Sequence, residues 1–183
     1  MNRNNALLLL KKYLKNQNLL KHCLACEAIM ENLAPRYDED PEEWALVGLL
    51  HDIDYEITKD CPKCHGLEGA RILSESGFNS TIVSALRSHN PATGFVPESI
   101  LEKALYAVDP VSGFIVACAL VHPDRALSSL DLDFLINRFK EKSFARGADR
   151  IQIQSCETLQ LNLREFLLIA LQAMQKISTQ LGL

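Results

Sequence analysis

Six residues able to bind a cation follow one another along the chain in the order His22, His51, Asp52, His65, His89, Asp109. Neutral imidazole and carboxylate suit zinc, iron, manganese and nickel, and a set this large can hold two ions rather than one. His51 and Asp52 are adjacent, and on a regular helix their side chains would diverge by about 100°. At a helix end the backbone leaves the regular spiral, so both can turn toward one ion. The apolar stretch from Trp44 to Leu50 puts the doublet at the end of a buried helix.

The elements that must position these residues read as helices. Apolar residues recur at spacings of three and four in nearly every segment, and clusters of glycine, proline or asparagine separate the segments. Strand-like alternation is almost absent. The pattern predicts helices over residues 5–15, 18–34 with Asn18 as N-cap, 42–50, 65–76 stopped by Gly77, 80–88, 98–108, 111–121, 131–145 and 155–181. Pro41 is welcome at a helix start, with Glu42 and Glu43 at the positive end of the dipole. Asp109 is expected at a helix end just before Pro110. The last helix covers the bundle with Leu159, Leu163, Phe166, Leu167, Ala170 and Met174.

Through His22, the doublet in LVGLLHDID and Asp109, residues 18–120 resemble the HD-domain superfamily of metal-dependent phosphohydrolases. His65 in HGLEGARIL and His89 in ALRSHN match the two further histidines of the branch that holds two metals. With KSFARGADR, the whole chain is similar to a group of small hydrolases of that superfamily. It departs from the pattern after Asp109, where Pro110-Val111-Ser112-Gly113 replaces an acidic residue and a threonine before the glycine. The resemblance implies an all-α, compact single-domain bundle of the HD type over residues 1–183, with a metal-site core over about 18–120 and covering helices over about 121–183. It also implies that His22, His51, Asp52 and Asp109 bind one ion, and that Asp52 bridges to a second ion held by His65 and His89. The cofactor is then one or two divalent or transition metal ions (Fe, Mn, Zn, Ni or Mg), which activate a water and stabilise charge as a phosphoester breaks.

Hydrolysis also needs a proton source and cations for phosphate. Glu68, one turn from His65, is the first candidate, with Asp54 and Glu56 beside it; Asp52 belongs to the catalytic set as the bridging carboxylate. Lys59 and Lys63 precede His65 and are placed to close over a substrate. Arg138, Lys142 and Arg146 recur every four residues, forming a basic stripe on the predicted helix, and Arg150 lies just beyond Gly147. Residues 138–150 hold five basic and two acidic residues, a local charge of +3. Turned toward the metals, Lys142, Arg146 and Arg150 form a phosphate clamp. His122 falls outside the pattern and reads as an exposed turn residue.

Cys61-Pro62-Lys63-Cys64-His65 has the spacing used to attach c-type haem, and Cys23 and Cys26 could join Cys61 and Cys64 in a four-thiolate zinc site. The export that haem attachment needs has no signal segment here, and Cys23 and Cys26 sit inside a helix. The six cysteines are expected as reduced thiols or ligands of an intracellular chain rather than disulfides. Cys26, one turn after His22, faces the same pocket.

At 183 residues with 48% hydrophobic content, the chain can bury one substantial core. A formal charge of -4 provides no overall positive field to gather nucleic acid or an anionic membrane, so a small phosphorylated substrate is expected, with no nucleic acid polymer and no membrane partner. The four leucines near the start fall far short of a signal or a membrane span, and a cytoplasmic location is expected. Two other functions share the ligand set: a di-iron oxygenase, and a non-catalytic nucleotide or metal sensor.

Overall fold

The computed structural model describes residues 2–183 and is all-α, with no strand among the described residues. Its helices are α1 (Arg3–Tyr13), α2 (Gln17–Leu33), α3 (Pro41–Leu50), α4 (Tyr55–Thr58), α5 (Leu67–Glu75), α6 (Ser80–Ser88), α7 (Ile100–Val121), α8 (Leu132–Lys140), α9 (Arg150–Gln154), α10 (Leu163–Lys176) and α11 (Ser178–Leu181). The central helices are α2 and α7, and the core between and around them includes Ile29, Met30, Val108, Phe114 and Ile115. Helix α7 has the length and hydropathy of a bilayer span, yet 56% of that stretch is buried inside the bundle, where an apolar helix is what a core requires. Helix α10 covers the bundle through Phe166, Leu167, Ala170, Leu171 and Met174.

Helix starts follow side-chain chemistry. Asn16, rather than the expected Asn18, caps α2 by accepting from the backbone N–H groups of Asn18 and Leu19. Asp40 caps α3, with Pro41 at its first position. Ser99 and Glu102 form a reciprocal capping box on α7. Helices α2 and α3 approach closely because residue 48 is glycine: a Cβ there would lie 2.6 Å from the Cys26 carbonyl oxygen. That contact carries His51, at the end of α3, up against His22 on α2.

Beyond shifts of a residue or two at helix ends, three elements differ from the sequence reading. The two predicted helices on either side of Pro110 are one helix, α7, with the proline inside it. The predicted helix over 131–145 ends at Lys140, where Glu141 turns extended, so Arg138, Lys142 and Arg146 share no helical stripe. The predicted helix over 155–181 is interrupted: Gln160 adopts a left-handed φ of 57°, and Asn162 starts α10 in a capping box with Glu165.

Candidate metal centre

Each of the four histidines is tied at Nδ1 to an oxygen. His51 donates to the Gly48 carbonyl at 2.8 Å, His89 to the Leu86 carbonyl at 2.7 Å, and His65 to Oδ1 of Asp54 at 2.8 Å. His22 Nδ1 lies 2.7 Å from Oγ of Ser112, whose hydroxyl donates to the Asp109 carbonyl and so leaves its oxygen to accept. With Nδ1 carrying the proton, every neutral ring turns a bare Nε2 lone pair inward. This is how outer hydrogen bonds orient imidazoles for a metal.

The inward atoms form two groups that share Asp52. His22 Nε2 lies 3.0 Å from His51 Nε2, 3.2 Å from Asp109 Oδ1 and 3.4 Å from Asp52 Oδ2. His65 Nε2 lies 3.1 Å from His89 Nε2 and 3.2 Å from Asp52 Oδ1. Ligands about 2.0–2.2 Å from a metal, at right or tetrahedral angles, stand roughly 3.0–3.5 Å apart. The spacing and the donor types therefore fit a metal ion in each group. Two bare lone pairs at 3.0 Å repel unless a cation or a proton lies between them.

Electrostatics points the same way. Burial disfavours the charged form of His51, but the Asp52 carboxylate outweighs it, with help from Cys26 and Asp109, and raises the imidazole to about 9. For His65 burial is again outweighed, by hydrogen bonds to Asp52 and Asp54, and the imidazole rises to about 10. Burial would push the Asp109 carboxyl up, yet the nearby His22 and His51 imidazoles hold it well below the usual carboxylate range. Asp52 is likewise held low, by His51, His65, His89 and His22 against the effect of burial.

Glycines set the second group. Gly66 adopts a φ of +88°, and a Cβ there would lie 2.4 Å from the Leu86 carbonyl oxygen and 3.2 Å from Cε1 of His89. Only glycine lets the chain turn between His65 and α5 while pressed against His89. Consequently His65 precedes α5 instead of starting it. The first group depends on the proline. Pro110 has no N–H for the Tyr106 carbonyl one turn back, and Gln152 Nε2, arriving from α9, donates to that carbonyl at 2.9 Å. Asp109 thereby sits within a continuous helix.

A cavity of about 410 Å³ opens over the cluster, its wall including Tyr55, Asn90, Pro91 and Gln152 beside the ligands. Tyr55 sets its ring edge-on to His65, with centroids 5.2 Å apart. Of the residues chosen from sequence, the structure brings His22, His51, Asp52, His65, His89 and Asp109 together. Others are engaged elsewhere. Asp54 is fully buried, and its carboxylate accepts from His65 and from the Gly66 and Gly69 N–H groups, so it orients a ligand and supplies no proton to the cavity. Glu68 points outward and is held by Arg71. Glu56 accepts from the Lys15 and Asn16 N–H groups.

Arg150 forms no part of a phosphate clamp. Its guanidinium donates to the carbonyls of Phe144, Ala145 and Ala148 and stacks over Phe114 at 4.7 Å, which pins residues 141–149 to the bundle. Lys142 and Arg146 are exposed and line a neighbouring hollow. Lys59 and Lys63 are exposed and stand outside the cavity wall. His122 ends α7 at a turn as expected, but its ring is part-buried against Phe134.

Cys61 and Cys64 are joined by a disulfide, contrary to the expectation of free thiols; a turn closed by the Cys64 N–H and the Cys61 carbonyl brings their Cα atoms to 5.3 Å. With both sulfurs in the disulfide, Cys61 and Cys64 have no thiol to give to a haem or a zinc ion. Cys23 and Cys26 are buried free thiols. Cys26 Sγ lies 3.9 and 4.0 Å from the two His22 nitrogens, flanking the ring from the core rather than lining the cavity.

Sequence reasoning passed over Ser112, Gln152, Tyr55 and Asn90. Tyr55 stood three residues after the doublet, and Ser112 three after Asp109, which was a usable signal. Gln152 carried none, because the carbonyl it serves is orphaned only by the fold.

Fold and cluster define an all-α protein with a cluster of His and Asp side chains able to hold a metal at its heart. The HD domain family matches residues 19–109. Over 139 residues the chain is 30% identical to an uncharacterised protein of Methanocaldococcus jannaschii, an overlap of 72% of this chain and 80% of that protein. It is 27% identical over 101 residues to Ribonuclease Y of Malacoplasma penetrans and 26% identical over 97 residues to Ribonuclease Y of Opitutus terrae. Each overlap takes 53% of this chain but only 20% and 18% of the two ribonucleases. No solved structure matches the chain. This chain belongs to the HD-domain family.

Proposed function

We propose that the protein is a metal-dependent phosphohydrolase acting on a small phosphorylated metabolite, a nucleotide in the first instance. The observation that carries this reading is the convergence of four oriented Nε2 atoms on two carboxylates, in two groups that share Asp52. His22, His51, Asp52 and Asp109 would hold one ion, and Asp52, His65 and His89 a second. Ions held there would supply an activated water and charge stabilisation for a phosphoryl group. The chain's own contribution is orientation: Ser112, Gly48, Asp54 and Leu86 fix the four rings, and the cavity over them is of a size that suits a nucleotide. Kinship with two proteins named as ribonucleases supports phosphoester chemistry.

Elemental analysis of protein purified without added metal, paired with phosphate-release and oxygen-uptake screens, tests the proposal. Phosphate release without oxygen consumption is expected. Oxygen uptake by an iron-loaded protein, with no phosphate released from any substrate, would replace it with the oxygenase reading.

A further inference from the structure

Two of the eight glycines are not explained by the fold. Gly66, Gly77, Gly94 and Gly182 have positive φ, and Gly48 and Gly69 are crowded where a side chain would begin. Gly113 and Gly147 have neither property: their φ is ordinary, and a Cβ at either would meet no atom within 4 Å. Both border depressions beside the ligand cluster. Gly147 lines the cavity over the metal ligands, a shallower hollow against His22 and Asp109, and a third hollow of about 800 Å³ farther out. Gly147 is thus common to the walls of all three depressions, and it adds no side chain between them.

The outer hollow is cationic. Lys140, Lys142 and Arg146 line it, and none of them is in an ion pair among the described residues. Asp149 also lines it, but its carboxylate already caps α9 by accepting from the Ile151 and Gln152 N–H groups. Arg150 is committed to backbone carbonyls and holds the segment in place. Beside the cations Ile151 is 81% exposed, an apolar surface next to a positive one. Neither Lys142 nor Arg146 contributes to the wall over the metal ligands, so the group they would meet is a different one from the group at the cluster.

Resting on the phosphohydrolase reading, we propose that the substrate carries two phosphate groups, one at the His/Asp cluster and a second, which is not cleaved, seated on Lys142 and Arg146 across Gly147. The shared chemistry of such ligands is a second phosphate on a nucleotide framework, and two sources offer it: a nucleoside bisphosphate, or a short oligonucleotide with a 5′ phosphate.

Calorimetric titration of the metal-loaded protein separates the sources. One arm compares adenosine 5′-monophosphate with adenosine 3′,5′-bisphosphate, and the other compares the dinucleotide dTpdT with its 5′-phosphorylated form. In the arm that matches the substrate, the extra phosphate should tighten Kd by about tenfold, the range of one or two charge-assisted contacts. Lys142→Ala/Arg146→Ala should erase that gain. Turnover of bis(p-nitrophenyl) phosphate, which lacks a second phosphate, is followed alongside in the unsubstituted protein. Gly147→Val should reproduce the loss with an unchanged circular dichroism spectrum. No gain from the second phosphate in either arm, or a gain that survives the double substitution, overturns the proposal. Absence of turnover with the aryl ester, while the gain in Kd stands, counts against the hydrolase reading and leaves the second phosphate site in place.

Discussion

The side-chain amide of Gln152 donates to the main-chain carbonyl of Tyr106 at 2.9 Å, replacing the N–H that Pro110 lacks. The same amide approaches the His89 carbonyl at 3.4 Å, so one side chain spans the helix bearing Asp109 and the end of the helix bearing His89. Gln152 is 8% exposed, and α9 lies outside the stretch that matches the family.

Gln152→Leu leaves the part-buried Tyr106 carbonyl without a donor and should cost about 1–3 kcal/mol. Metal affinity should fall with it, because Asp109 loses its fixed position. Pro110→Ala restores an N–H for Tyr106, so the cost of Gln152→Leu should shrink in that background. A double-mutant cycle read by thermal unfolding checks this; additive costs would show that Gln152 serves some other group.

Gly66→Ala places a methyl group against the Leu86 carbonyl in a left-handed conformation. The backbone strain alone is about 1–3 kcal/mol, and the displaced turn carries His65 with it. The expected outcome is loss of ion binding at His65 and His89 ahead of loss at His22 and His51, measured by metal stoichiometry in the folded variant. Equal loss at both groups would mean that the turn does not act locally.

Much of this arrangement was readable in the residues themselves. His and Asp can do few things in an apolar helical chain, and the adjacency of His51 and Asp52 demanded a helix end, which α3 provides. What escaped the sequence was compensation at a distance. Pro110 reads as a helix stop because proline removes a donor, yet a glutamine 42 residues later supplies one. The spacing of Arg138, Lys142 and Arg146 reads as one helical face, yet α8 ends at Lys140 and Arg150 satisfies carbonyls of the segment that follows. The break before α10 was legible in principle, since Asn162 and Glu165 have the spacing of a capping box. Glu68 likewise carried its own warning in Arg71, three residues on.

Asp52 has an oxygen toward each donor group, with Oδ2 at 3.4 Å from His22 and Oδ1 at 3.2 Å from His65. Asp52→Ala should therefore deplete both ions and abolish turnover. His89→Ala should weaken mainly the ion shared with His65. Elemental analysis after dialysis, with circular dichroism to verify the helical fold, reads both; full occupancy in Asp52→Ala would remove this residue from the centre.

Loading with metal should release protons at neutral pH. In the metal-free cluster His51 is raised to about 9 and His65 to about 10, so both imidazoles are protonated at pH 7, whereas a ligating nitrogen must be bare. Burial disfavours the charged form of His22, but Cys26, Asp109 and Asp52 outweigh it and raise this imidazole well above its ordinary value too. Binding then displaces roughly three protons per chain, and apparent affinity climbs with pH until these values are passed. The sign for stability is opposite. A folded-state pKa above the unfolded value of about 6.5 stabilises the metal-free fold fully below that pH, and the contribution disappears as pH rises through 9 to 10. Metal-free protein should accordingly lose thermal stability between pH 7 and 10, while the loaded form changes little over that range. Calorimetric titration in buffers of different ionisation enthalpy counts the protons, and a heat of binding independent of buffer would show that the rings are already neutral before the metal arrives.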